Sequence, residues 1–208
     1  MLYKELLVEW RSKAALGGIL LYVFSSVFVV SFFFREGISP ILWVVLFWLL
    51  MLFIGINTIA KSFINESRSQ TLYLYQLASA TAIIVAKSIY NIILLVVIGG
   101  AAFFVFSFFV GPPRGDLIFL LWLVCLGNSG IAISLTFISA ITAIAGASVG
   151  LMAVLSFPVL LPQLLLSIRL CLAALDGILL NKYFTGLMLM NAIVFLLSTI
   201  LFPYLWKE

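Results

Sequence analysis

The chain has 208 residues, of which 65% are hydrophobic and 9% charged, with a net charge of +4, two cysteines and no histidine. Soluble domains carry roughly one quarter charged residues, so this composition excludes a soluble enzyme and points to an integral membrane protein. The basic excess borders long apolar runs, where it meets anionic headgroups rather than nucleic acid.

Residues 1–15 read as an interfacial helix: Leu2, Leu6, Leu7, Trp10 and Ala14 recur at helical spacing, while Lys4, Glu5, Glu9, Arg11 and Lys13 take the other faces. Six apolar runs follow, over residues 16–34, 41–60, 82–110, 117–144, 148–172 and 184–206. Each is long enough to span the hydrocarbon as a helix. The expected fold is thus an all-α membrane protein of six transmembrane helices in one domain, residues 1–208. With the N-terminus inside, Lys4, Arg11, Lys13, Lys61, Arg68, Lys87 and Lys207 lie on the cytoplasmic side, against Arg35, Arg114, Arg169 and Lys182 outside, a split of seven to four. Positive residues concentrate inside, so both termini are expected in the cytoplasm.

Residues 61–81 form the longest polar stretch, running from Lys61 through Glu66, Arg68 and Thr71 into Leu72-Tyr73-Leu74-Tyr75-Gln76-Leu77. Its mixture of charge with aromatic and aliphatic anchors suits a cytoplasmic partner; a plain chain reversal is the simpler role. Lys87 and Asn91 stand one turn apart at the start of span three, and Lys87 is expected to snorkel to the cytoplasmic headgroups, since a cation at bilayer centre is costly. Pro112-Pro113 ends that span.

Span four carries Asn128, Ala132, Thr136 and Ser139 at helical spacing beside Gly127 and Gly130, a stripe suited to close helix packing with hydrogen bonds across the contact. Span five contains Pro158 and Pro162, which remove two backbone donors and should kink or break the helix. Gln163 follows directly. Arg169 and Asp176, seven residues apart, either pair or divide, with Asp176 in a short outer re-entrant segment. Asn128, Gln163, Arg169 and Asp176 are candidates for a partner contact or a path lining; packing and interfacial anchoring are the plainer alternatives. Cys125 and Cys171 read as apolar packing residues.

No catalytic constellation is found. Histidine, the commonest metal ligand and general base, is missing, and so is the G-x-x-x-x-G-K-[ST] pattern for nucleotide phosphates. The expectation is not an enzyme but a transporter subunit, channel or scaffold, with no cofactor bound directly and any ATP used by another chain.

The stretch Phe63-Ile64-Asn65-Glu66-Ser67-Arg68-Ser69-Gln70-Thr71-Leu72 leading to Lys87, and the later Phe157-Pro158-Val159-Leu160-Leu161-Pro162, resemble the CcmB family. Its members are haem exporter B subunits of cytochrome c maturation and type-2 ABC transporter permeases. Where family members commonly carry an acidic-glycine pair and a proline, this chain has Ser69-Gln70 and Ser79. The resemblance implies a bacterial inner-membrane permease with a CcmA-type ATPase, CcmC-type and CcmD-type membrane partners and a CcmE-type haem chaperone, whose release ATP hydrolysis drives. Haem is then the cargo handled, Glu66, Arg68, Leu72 and Tyr75 are the expected ATPase contacts, and Pro158 and Pro162 shape the fifth span. A type-2 permease for another cargo and a passive membrane scaffold are the competing expectations.

Overall fold

The computed structural model describes residues 13–34, 38–59, 79–113, 115–146, 149–177 and 181–205. They form six helices, α1 (Lys13–Phe33), α2 (Pro40–Ile59), α3 (Ala80–Val110), α4 (Leu117–Ile144), α5 (Val149–Leu175) and α6 (Asn181–Leu205), and no strand occurs among the described residues. Helices α2 to α6 are each long and apolar enough to cross a membrane, and the apolar stretch of α1 is Leu21–Phe33. A helix satisfies its backbone internally, which is what a chain this apolar requires where water is absent. The expected interfacial helix and most of the polar segment 61–81 lie outside the described residues.

Helix limits follow local capping chemistry. Ser79 caps α3, its hydroxyl accepting from the Ala82 backbone N–H at 3.4 Å, and Asp116 caps α4 by accepting from Ile118 N–H at 2.9 Å and Phe119 N–H at 3.4 Å. At the far ends Gly146 (φ 62°) and Gly177 (φ 70°) turn the chain in a conformation that favours glycine.

Helix α4 is the centre of the bundle and packs against α2, α3, α5 and α6. At the Gly111–Asp116 end, the core between α2 and α3 is aromatic. Trp43 stacks on Phe47 with centroids 5.5 Å apart and meets Phe106 edge-on at 5.0 Å; Phe103 meets Phe47 edge-on at 6.0 Å. The Trp43 indole N–H also donates to the Gly111 carbonyl at 3.0 Å, which ties the end of α3 to the start of α2.

Of the two outcomes expected at the prolines of the fifth span, a kink or a break, the break does not occur: helix α5 is continuous from Val149 to Leu175 with both Pro158 and Pro162 inside it. Nor is there a re-entrant segment at Asp176: α5 closes there in a turn, with Asp176 N–H donating to the Leu172 carbonyl at 3.1 Å and Gly177 N–H to the Ala174 carbonyl at 3.2 Å.

Replacing Trp43 with Ala is expected to destabilise the bundle by about 3–5 kcal/mol, whereas Trp43→Phe keeps a ring and loses mainly one hydrogen bond, about 1 kcal/mol. Unfolding titrations in mixed micelles measure both, and equal losses for the two variants would show that the rings contribute little.

Candidate functional site

The polar side chains of this bundle collect along α4. On its α5/α6 side, the Ser134 hydroxyl donates to Gln163 Oε1 at 3.0 Å, Gln163 Nε2 donates to Asn191 Oδ1 at 3.0 Å, and Asn191 Nδ2 donates to the Leu126 carbonyl at 3.3 Å. One connected chain of bonds therefore joins three helices. Gln163 is fully buried and Ser134 and Asn191 are buried with it. Gly130 makes the contact feasible, because a Cβ there would collide with Gln163 Nε2 and Asn191 Oδ1.

The α3 side of α4 carries a second set. Asn91 Nδ2 donates to Thr136 Oγ1 at 2.9 Å, and Thr136 in turn donates to the Ala132 carbonyl at 2.6 Å. Gly99 faces Asn128, whose Nδ2 a Cβ on Gly99 would strike. Gly99 is eight residues beyond Asn91 and Asn128 eight residues before Thr136, so both contacts belong to one antiparallel register. Lys87, in the second turn of α3 and one turn before Asn91, is 2% exposed.

The two amides singled out from the sequence thus differ in kind. Gln163 has partners for both its polar atoms. Asn128 is fully buried with neither Oδ1 nor Nδ2 hydrogen-bonded. Arg169 is exposed on the surface of α5 and Asp176 is exposed in the turn after it, with no ion pair between them; of the alternatives for these two residues, pairing is not seen. Pro158 and Pro162 are exposed on the outer face of α5, away from Gln163. Glu66, Arg68, Leu72 and Tyr75 lie outside the described residues. Both cysteines are free, Cys171 buried and Cys125 half-buried. Among the described residues no group of three His, Cys, Asp or Glu side chains is placed to hold a metal ion.

Sequence reasoning missed Asn191 and Ser134. Asn191 could have been found, since an amide inside an apolar span is itself a signal. Ser134 lies off the Asn128–Thr136–Ser139 stripe and gives no such sign. No protein-family model, curated protein or solved structure matches this chain.

The chain Ser134–Gln163–Asn191 offers neutral donors and acceptors only, an arrangement that binds helices together or contacts a neutral polar group. Substituting Gln163→Leu leaves Asn191 and Ser134 short of a partner and is expected to cost about 1–3 kcal/mol. A double-mutant cycle with Asn191→Leu should return a coupling of about 0.6–1.7 kcal/mol; a coupling of zero in unfolding titrations would mean that the amides act independently.

Proposed function

We propose that this chain is a multi-pass permease subunit of a larger membrane assembly, with α1 as a sixth span, both termini in the cytoplasm and the energy supplied by a separate ATPase. The observation that supports a permease is the buried polar chain Ser134–Gln163–Asn191 midway along the central helices, because polar groups at mid-depth mark solute or coupling sites in membrane bundles. A chain with no nucleotide-phosphate loop of its own depends on another protein for ATP.

The particular cargo rests on the residue resemblance alone. On that reading the subunit works in haem handling for cytochrome c maturation in the bacterial inner membrane, with CcmA-type, CcmC-type, CcmD-type and CcmE-type partners, and the segment around Glu66, Arg68, Leu72 and Tyr75 docks the ATPase. Movement of that segment passes into α2 and α3, which flank it, and from α3 into α4. The same polar chain also suits a passive scaffold, since amides that bridge helices hold them in register.

Gentle extraction of the tagged protein, followed by mass spectrometry and a haem absorption spectrum, is expected to recover an ATPase together with haem-binding subunits. Replacing Glu66 and Leu72 should reduce ATPase recovery while the bundle stays folded. An ATPase without haem proteins redirects the reading to another cargo, and a complex whose assembly ignores both substitutions and contains no ATPase supports the scaffold.

A further inference from the structure

The outward face of α5 is not an ordinary lipid-facing surface. On α6 the exposed stripe of Leu189, Ile193 and Leu196 is wholly aliphatic, and each of these carbonyls has a backbone N–H four residues on. Hydrocarbon tolerates such a surface, since it leaves no polar group open. On α5 the exposed residues Val154, Pro158, Pro162, Leu165 and Arg169 recur at helical spacing and share one side. Proline has no N–H, so Pro158 deprives the Val154 carbonyl of its donor four residues on, and Pro162 does the same to the Pro158 carbonyl.

Each of these two carbonyls lies between exposed residues, Val154 and Pro158 for the first, Pro158 and Pro162 for the second. Pro162 is the midpoint of α5, and at about 1.5 Å per residue Pro158 stands about 6 Å from it, well inside hydrocarbon about 30 Å thick. Freed carbonyls at such depth are served by a neighbouring helix, a hydroxyl or water. Among the described residues no helix covers this side of α5, and the hydroxyl of Ser156 is buried and donates to the Met152 carbonyl instead. Arg169 places a cation on the same stripe, about 10 Å from the midpoint toward the end of α5. It is the only side-chain donor among the exposed residues described on this helix.

We propose that this stripe docks a transmembrane helix of another protein, one that carries an acidic side chain at the depth of Arg169 and a hydroxyl or amide donor at the depth of Pro158. A second copy of this chain does not meet the requirement. In a twofold membrane dimer equal residues stand at equal depth, so Arg169 would face its own copy, and the stripe has two acceptors but no neutral donor to offer itself. Lipid tails have no donor either, and a headgroup answers Arg169 alone. A partner helix of complementary chemistry serves both features at once, since like charges discriminate against the wrong neighbour and opposite charges fix the depth of the right one. The proposal rests on the reading of this chain as one subunit of a membrane assembly, and not on its cargo or its energy source.

In native membranes, the photocrosslinker p-benzoylphenylalanine placed at Leu165 is expected to form an adduct with one span of another protein, in which peptide mass spectrometry finds an Asp or Glu within a turn of the linked residue. The same probe at Ile193 on α6 should not capture that span. Arg169→Glu should lower the Leu165 adduct roughly tenfold, Arg169→Lys should keep it, and Lys in place of the partner's acid should restore it in the Arg169→Glu chain. Arg169 is exposed, so these exchanges leave the core intact; should Arg169→Glu fail to accumulate, the loss expected of Arg169→Gln decides in its place. Adducts confined to lipid or to a second copy overturn the proposal, as does a linked span without an acidic residue, equal capture from Ile193, or an adduct indifferent to the charge of residue 169. Recovery of an ATPase while Leu165 labels only lipid leaves the assembly standing and removes the docking face. An acid-bearing neighbour at Leu165 in a complex without ATPase supports the docking face and counts against a powered permease.

Discussion

Inside this bundle a polar group has no bulk water to bond with, and every level of the structure answers to that constraint. Backbone groups meet it by forming helices. The helix ends meet it with Ser79, Asp116 and the glycine turns. Hydroxyls such as Thr142 and Ser156 meet it with a carbonyl of their own helix. The amides of Asn91, Gln163 and Asn191 instead bond to a neighbouring helix, and so they fix which helices meet and at what height.

That is why α4 is the organising element. Gly127 and Gly130 remove side-chain bulk where Trp48, Gln163 and Asn191 approach, and Gly99 does the same on α3 for Asn128. A one-residue slip of α5 against α4 would part Gln163 from Ser134 and drive other side chains into the glycine positions. The amide chain therefore specifies register, while the aromatic group around Trp43 supplies the packing that holds one end of the bundle closed. Dispersion contacts of this kind carry the stability of a membrane bundle, where burial from lipid offers little hydrophobic gain.

The outward face of α5 obeys a different logic. Pro158, Pro162 and Arg169 are all exposed there, so the residues that look most unusual in the sequence of this span contribute nothing to the buried network. Proline costs a helix a backbone bond but puts no polar group in the core, and it can sit on the exterior without breaking the element. Arg169, exposed within two turns of the end of α5, is placed where a long cationic side chain snorkels to the headgroups.

Much of the architecture was legible in the sequence alone. Length and continuity of the apolar runs placed the helices to within a few residues, because the requirement for internally bonded backbone over a membrane thickness is local to each run. Asn128, Gln163 and the small residues of α4 were recognisable for the same reason: polarity inside an apolar run is visible without knowing the neighbours. What the tertiary structure decided was pairing and facing. That Gln163 meets Asn191 and Ser134 while Asn128 meets no partner, that Lys87 is buried, and that the two prolines face out all depend on how α3, α5 and α6 are rotated about α4. Rotation follows from the summed fit of many side chains at once, and when nearly every residue of a helix is apolar the sequence carries no periodic signal for which face is buried.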